Sequence, residues 1–126
     1  MSILFDSNSL IIAEKSLDAL SLRQSVISSN LANVDTPGYK SHTVVFEDIL
    51  KRFLSSSGSS INSSRLNNLQ PQIRENKDSS LRDDGNNVDI TAEKIELSRT
   101  QLQYEYLIRA VSSELSRMKY VINEGR

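Results

Sequence analysis

Two stretches of apolar residues at helical spacing lie near opposite ends of this chain, with a long polar middle between them. That arrangement restricts the fold more than any other feature. In the first stretch, from about Asn8 to Asn33, Leu10, Ala13, Leu17, Leu20, Ile27, Leu31 and Val34 recur at alternating spacings of three and four, with Gln24 in the one gap. The second stretch runs from Asp89 to about Asn123. Its seam is Ile90, Leu97, Gln101, Tyr104, Ile108, Val111, Leu115, Met118 and Ile122, with Lys94 at the missing place. Such spacing puts one apolar stripe on each helix. Two striped helices at the ends of one chain pair antiparallel as a coiled-coil-like hairpin. The expected fold class is therefore mainly α, with an irregular, partly extended middle.

The first helix has an uncharged back. Its only charges are Glu14, Lys15, Asp18 and Arg23, and six serines lie between Ser9 and Ser29. A solvated face is normally charged, so this back predicts contacts on more than one side. Asp6, Ser7 or Asn8 can cap its start, and Asp89 can cap the last helix. On that helix Glu96 with Arg99, Glu105 with Arg109, and Glu114 with Arg117 stand three or four apart, the spacing of surface ion pairs.

Residues 1–40 make the first helix and its turn, 41–88 the middle, and 89–126 the last helix, all within one structural domain. Pro37-Gly38 is the sharpest break. Proline fixes φ and glycine permits φ > 0, so Thr36-Pro37-Gly38-Tyr39 reads as a turn with Pro second and Gly third. Beyond it, Thr43 to Phe46 has strand character and Phe46 to Leu54 helical spacing. Ser55 to Ser64 holds seven serines and one glycine, which reads as a flexible linker or exposed loop. From Leu66 to Asn87 the chain is polar, with Leu69, Ile73 and Leu81 as isolated anchors.

Composition excludes more than it suggests. At 37% hydrophobic residues a large private core is not expected. A net charge of −1 gives no case for nucleic acid. There is no cysteine and a single histidine, His42. No thiol chemistry, His relay or metal pair can be built, and the four glycines form no phosphate loop. Around Gly85 a calcium-loop register puts Ser80 and Arg82 at ligand positions, so that fit fails. Asn62-Ser63-Ser64 matches a glycosylation acceptor by a pattern too short to carry weight. No catalytic, cofactor or metal site is expected. No apolar run is long enough to span a membrane, and the start shows no cleaved secretory leader.

Ser29-Asn30-Leu31-Ala32-Asn33-Val34-Asp35-Thr36-Pro37-Gly38-Tyr39-Lys40 resembles the N-terminal signature of bacterial flagellar rod and hook proteins. The end of the chain, from Asp84-Gly85-Asn86-Asn87-Val88-Asp89 through Gln103-Tyr104 to Glu124-Gly125-Arg126, is similar to the proximal rod members of that family. The resemblance covers both ends and little of the middle. It implies a structural subunit that self-assembles by helix packing into the hollow proximal rod of the basal body, the drive shaft that carries torque and joins the ring and export gate to the distal rod. It implies Asn30, Asn33, Thr36, Pro37, Gly38 and Tyr39 as an assembly signature. The implied partners are other copies, other rod subunits, the basal-body adaptor, the MS-ring and the export-gate proteins. The implied location is the periplasmic rod, reached by uncleaved type III export. The family also has an export-gate signal of the form Phe-x-x-x-apolar, which Phe46 and Leu50 match. Without the resemblance, a cytoplasmic coiled-coil adaptor or export chaperone explains the seams but not the Thr-Pro-Gly-Tyr string.

Overall fold

The computed structural model describes residues 6–80 and 82–124; the Leu81 anchor and the Gly125-Arg126 end lie outside them. Two long helices carry the architecture. Helix α1 spans Ser7–Ala32 and the last helix spans Ile90–Glu124. Both start as the sequence expects. Asp6 accepts a hydrogen bond from the Ser9 amide at 2.8 Å, and Asp89 accepts one from the Ala92 amide at 3.1 Å. These bonds satisfy donors that the first helical turn leaves free.

Between the long helices the middle holds short strands and helices, the strand and helix expected from Thr43 to Leu54 and two further elements beyond them. Strand β1 is His42–Val45, helix α2 is Glu47–Ser56, helix α3 is Ser63–Asn67 and strand β2 is Gln72–Glu75, so the last helix is α4. The two strands pair antiparallel, with His42 opposite Glu75 and Val44 opposite Ile73. The serine-rich stretch is largely consumed by helix ends: α2 runs through Ser56, and Asn62 caps α3 by accepting from the Arg65 amide at 3.2 Å. The middle orders because it finds α1. Leu66 is fully buried, Phe46 and Phe53 are buried, and α3 packs against α1. Arg23 on α1 grips Glu47 at the start of α2 through two 2.7 Å hydrogen bonds and also donates to the Val44 carbonyl at 3.1 Å. Helix α1 thus has α4 on one side and the strands and α3 on others, while four of its six serines, Ser21, Ser25, Ser28 and Ser29, stay exposed.

Helices α1 and α4 lie together in the expected antiparallel hairpin, with Asn30 near Glu93 and Ser16 near Leu107. None of the expected α1 seam positions is exposed, and Ala13, Leu20 and Ile27 are buried. On α4 the stripe is rotated. A stripe of residues that lose solvent runs Glu93, Leu97, Thr100, Tyr104, Leu107, Val111, Glu114 and Met118, again spaced four and three, with Glu96 and Ala110 also partly covered beside it. This stripe shares Leu97, Tyr104, Val111 and Met118 with the expected seam. The interleaved places differ: Ile108, Leu115 and Ile122 are 40%, 50% and 68% exposed, while Thr100 and Glu114 are buried. Helix α4 has apolar residues around much of its circumference, so counting them favours the wrong interleaved set. Thr100 tolerates burial because its hydroxyl donates to the Glu96 carbonyl of its own helix at 2.7 Å. The three expected ion pairs are present, Glu96–Arg99 at 2.9 Å, Glu105–Arg109 at 3.7 Å and Glu114–Arg117 at 3.5 Å.

The rotation has a measurable consequence. Leu20→Ala removes a buried leucine and should cost about 2–5 kcal/mol. Ile122→Ala, on the outer side, should change the stability of the isolated protein by no more than about 0.5 kcal/mol. Urea denaturation of both variants checks the ranking.

Candidate functional site

The two segments that carry the family-like strings meet at one end of the hairpin. They form a polar clasp between the exit of α1 and the entry of α4. The exit is a turn in which the Tyr39 amide donates to the Thr36 carbonyl at 3.2 Å, with Gly38 at φ +75°. A side chain is strained at that φ, and a β-branched one is an outlier. The Gly38 amide donates to the Asp84 carbonyl at 2.8 Å, so the turn is hydrogen-bonded to the opposite loop. Across the contact Gly85 is also at positive φ, +80°, and a Cβ there would sit 3.7 Å from the Gly38 Cα. Lys40 reaches over to donate from Nζ to the Gly85 carbonyl.

Two fully buried asparagines hold the clasp closed. The Asn86 Nδ2 group lies 2.8, 2.9 and 2.9 Å from the carbonyls of Asn33, Val34 and Thr36. These belong to the chain leaving α1, where Asn33 also accepts from the Thr36 amide and Thr36 from the Tyr39 amide. Its Oδ1 accepts from the Val88 amide at 2.8 Å. Asn30 does the converse job from α1. Its Oδ1 accepts from the Tyr39 hydroxyl at 3.1 Å and the His42 amide at 3.0 Å, and its Nδ2 donates to the His42 carbonyl at 2.8 Å and to Glu93 Oε2 at 3.1 Å. One side chain thus ties together α1, the turn, β1 and α4. Asn87 extends the network by accepting from the Ser41 amide at 2.7 Å and donating to the Asn76 carbonyl at 2.9 Å. Arg82 closes the rim, donating to the Val34 carbonyl and pairing with Asp84 at 3.0 Å. No buried side-chain nitrogen or oxygen among the described residues lacks a partner.

Four of the six signature residues make side-chain hydrogen bonds within the subunit. Asn30 and Tyr39 are in the network, while Asn33 and Thr36 bond each other through Thr36 Oγ1 to Asn33 Oδ1 at 3.1 Å. Pro37 and Gly38 shape an exposed turn. Sequence reading singled out Asn30 but not Asn86 or Glu93. The signal for Asn86 was its place in a family-like loop that also read as an ordinary turn. His42 contributes mainly backbone groups, and among the described residues no cluster of acidic or histidine side chains suits a metal.

Beside the clasp is a groove of about 370 Å³ among α1, β1 and α4, lined by Arg23, His42, Glu47, Glu93 and Arg99 among others. Burial raises the Glu93 carboxyl above its ordinary value of 4.5, opposed by the hydrogen bond from Asn30 and reinforced by nearby Glu96 and Asp89. Glu47 moves the other way because Arg23 hydrogen-bonds its carboxylate.

The export-motif pair sits elsewhere. Phe46 is buried at the start of α2, and Leu50 is half-buried one turn on. Together with Leu20, Tyr106 and Leu107 they line a depression between α1 and α4.

Comparison with known proteins agrees with the strings in the clasp. The profile of the family described as "Flagella basal body rod protein" matches residues 10–40. The chain is 36% identical to the "Flagellar basal body rod protein FlgB" of Borrelia hermsii, over 88% of this chain and 93% of that protein. It is 29% identical to the protein of that name from Bacillus subtilis (strain 168), over 90% and 92% of the two chains. For Escherichia coli (strain K12) the identity is 28% over 89% and 91%.

Two outcomes are expected at the clasp. Asn86→Ala leaves the buried Val88 amide without its acceptor and takes one donor from each of three carbonyls, at about 1–3 kcal/mol per group left unmade, so it should destabilise the protein more than Asn62→Ala, an exposed cap worth about 1 kcal/mol. Urea midpoints of the two variants test this. Glu93→Gln should be more stable than the native chain at neutral pH. A carboxyl whose folded pKa is raised favours the folded state when protonated and loses that advantage as pH rises through the folded value. The advantage of the variant should therefore shrink as pH falls toward 4.5, the ordinary glutamate value. Melting temperature against pH for both proteins checks the sign.

Proposed function

The chain belongs to the FlgB family of flagellar basal body rod proteins, and on that premise we propose that it is a self-assembling subunit of the proximal rod. It is a component of the basal body rod and a structural protein, not an enzyme. In the proposed role it packs helix on helix with other copies and other rod subunits into a hollow shaft that transmits torque. At the base it meets the adaptor, the MS-ring and the export gate, and it lies in the periplasm after uncleaved type III export. The observation that carries this reading is the surface of α4. Large apolar side chains stand exposed along its length, among them Ile95, Leu102, Tyr106, Leu115, Tyr120 and Ile122. A monomer rarely leaves so much apolar surface uncovered unless it is an interaction site.

No described helix is long and apolar enough to cross a membrane. A rod subunit is held by its neighbours and needs no span of its own. Export supplies the other half of the proposed mechanism. Phe46 and Leu50 are shielded in the folded protein, so a gate that reads them reads the unfolded chain. Folding then hides the signal.

Cells lacking the protein should build rings without rods and should not swim, and supplying the chain should restore both, as seen by electron microscopy of purified basal bodies. Swimming cells with complete rods in its absence sink the proposal. For the signal, Phe46→Ala should be secreted severalfold less than the native chain. Phe53→Ala, which also removes a buried phenylalanine, should be secreted normally. Equal secretion of the two, measured in culture supernatants, refutes a role for Phe46 at the gate.

A further inference from the structure

An exposed stripe of α4, whose Arg99 and Tyr106 also rim the grooves that α4 makes with α1, is a matched partner for an exposed stripe of α1. On α4, Ile95, Arg99, Leu102, Tyr106, Arg109 and Ser113 follow spacings of four and three, and all are exposed. Leu102 and Tyr106 are 68% and 77% exposed, extreme values for such side chains. On α1, Glu14, Asp18, Ser21, Ser25, Ser28 and Ala32 follow the same spacings and are likewise exposed. One stripe is large, apolar and basic. The other is small and acidic.

We propose that these two stripes meet between copies, the exposed stripe of α4 in one subunit lying antiparallel on the exposed stripe of α1 in the next. This rests on the rod reading above and specifies which surfaces join like subunits. Copies that stand side by side in the same orientation present α4 beside α1 antiparallel, because the two helices are antiparallel within each copy. In one register the stripes coincide along their whole length. Tyr106 then packs over Ser21, Leu102 over Ser25, Ile95 over Ala32, and Arg109 faces Asp18. Small residues on α1 let the bulky side chains of α4 seat closely. Charge selects the register. A slide of one heptad in one direction sets Asp18 against Leu102 and Glu14 against Tyr106, and in the other it sets Asp18 against Ser116. Only the matched register pairs Asp18 with Arg109, whose contact within its own subunit is a long 3.7 Å approach to Glu105. The contact is heterologous, two different faces of one subunit, so it propagates instead of closing on itself as a two-fold dimer does.

The chain has no cysteine, which makes the test direct. A Ser21→Cys, Tyr106→Cys double variant, produced in place of the native chain and oxidised in basal bodies, should give a ladder of covalent dimers and larger species on a non-reducing gel. Each single variant should remain monomeric. Monomer alone in basal bodies that contain the double variant overturns the interface and leaves the rod reading standing; absence of the native chain from basal bodies overturns the rod reading itself. Charge reversal gives an independent measurement. Asp18→Arg and Arg109→Asp alone should each reduce swimming at least severalfold, and the two combined should restore it. Both sites are exposed, so circular dichroism of each variant should match the native protein. Failure of the combined variant to recover beyond either single one overturns the proposal.

Discussion

The structure depends on two buried side-chain amides. Asn86 gives three carbonyls of the chain leaving α1 a further donor and takes the Val88 amide, and Asn30 spends its amide on the turn, β1 and α4 at once. Asparagine suits both places because a short side chain presents donors and an acceptor in one plane. Aspartate has no donor for those carbonyls, and glutamine adds a methylene where the backbones already lie close. Gly38 and Gly85 supply the positive φ that the two facing turns require. Once the clasp is set, the direction and rotation of α4 follow, since Asp89 caps it and Glu93 is held by Asn30 within its first turn.

That fixed rotation explains the uneven packing along the hairpin. Near the clasp the contact is polar and fully satisfied. Farther along, the stripe that α4 turns toward α1 includes Thr100 and Glu114, and the apolar interior is correspondingly thin. The apolar residues that a private core could have used stand outside instead, at Ile108, Leu115 and Ile122. Hydrophobic free energy scales with area removed from water. Much of that area on α4 stays exposed in the single subunit.

The hairpin was legible in the sequence because the three-and-four spacing of Leu10 to Val34 and of Leu97 to Met118 reports helices directly. Caps at Asp6 and Asp89, the ion pairs of α4 and the Pro37-Gly38 turn were legible for the same reason: each is a local interaction. What was not legible is what tertiary contact decides. The interleaved seam positions of α4 were misassigned because apolarity alone cannot tell a face turned inward from one left exposed. The elements α3 and β2 were not legible because Leu66 stands alone beyond a serine-rich stretch, and the surface of α1 makes it part of the core. Asn86 was invisible as a centre because a buried amide and an exposed turn amide are the same letter.

A polar clasp also differs from an apolar core in how it forms. Apolar collapse is non-directional and rewards partial compaction, whereas each bond in the clasp needs its donor and acceptor placed within tenths of an ångström. A half-formed clasp leaves buried carbonyls unpaired and is penalised for it. The closing of this hairpin is therefore steep: little is gained until Asn30, Asn86 and the facing glycines are all in place. With a thin apolar interior, the unfolded chain has few strong alternative contacts to trap it. Both properties suit the proposed route, in which the chain passes the export gate unfolded and acquires its shape beside copies of itself. There the exposed faces of α1 and α4 find the burial that a single subunit does not provide.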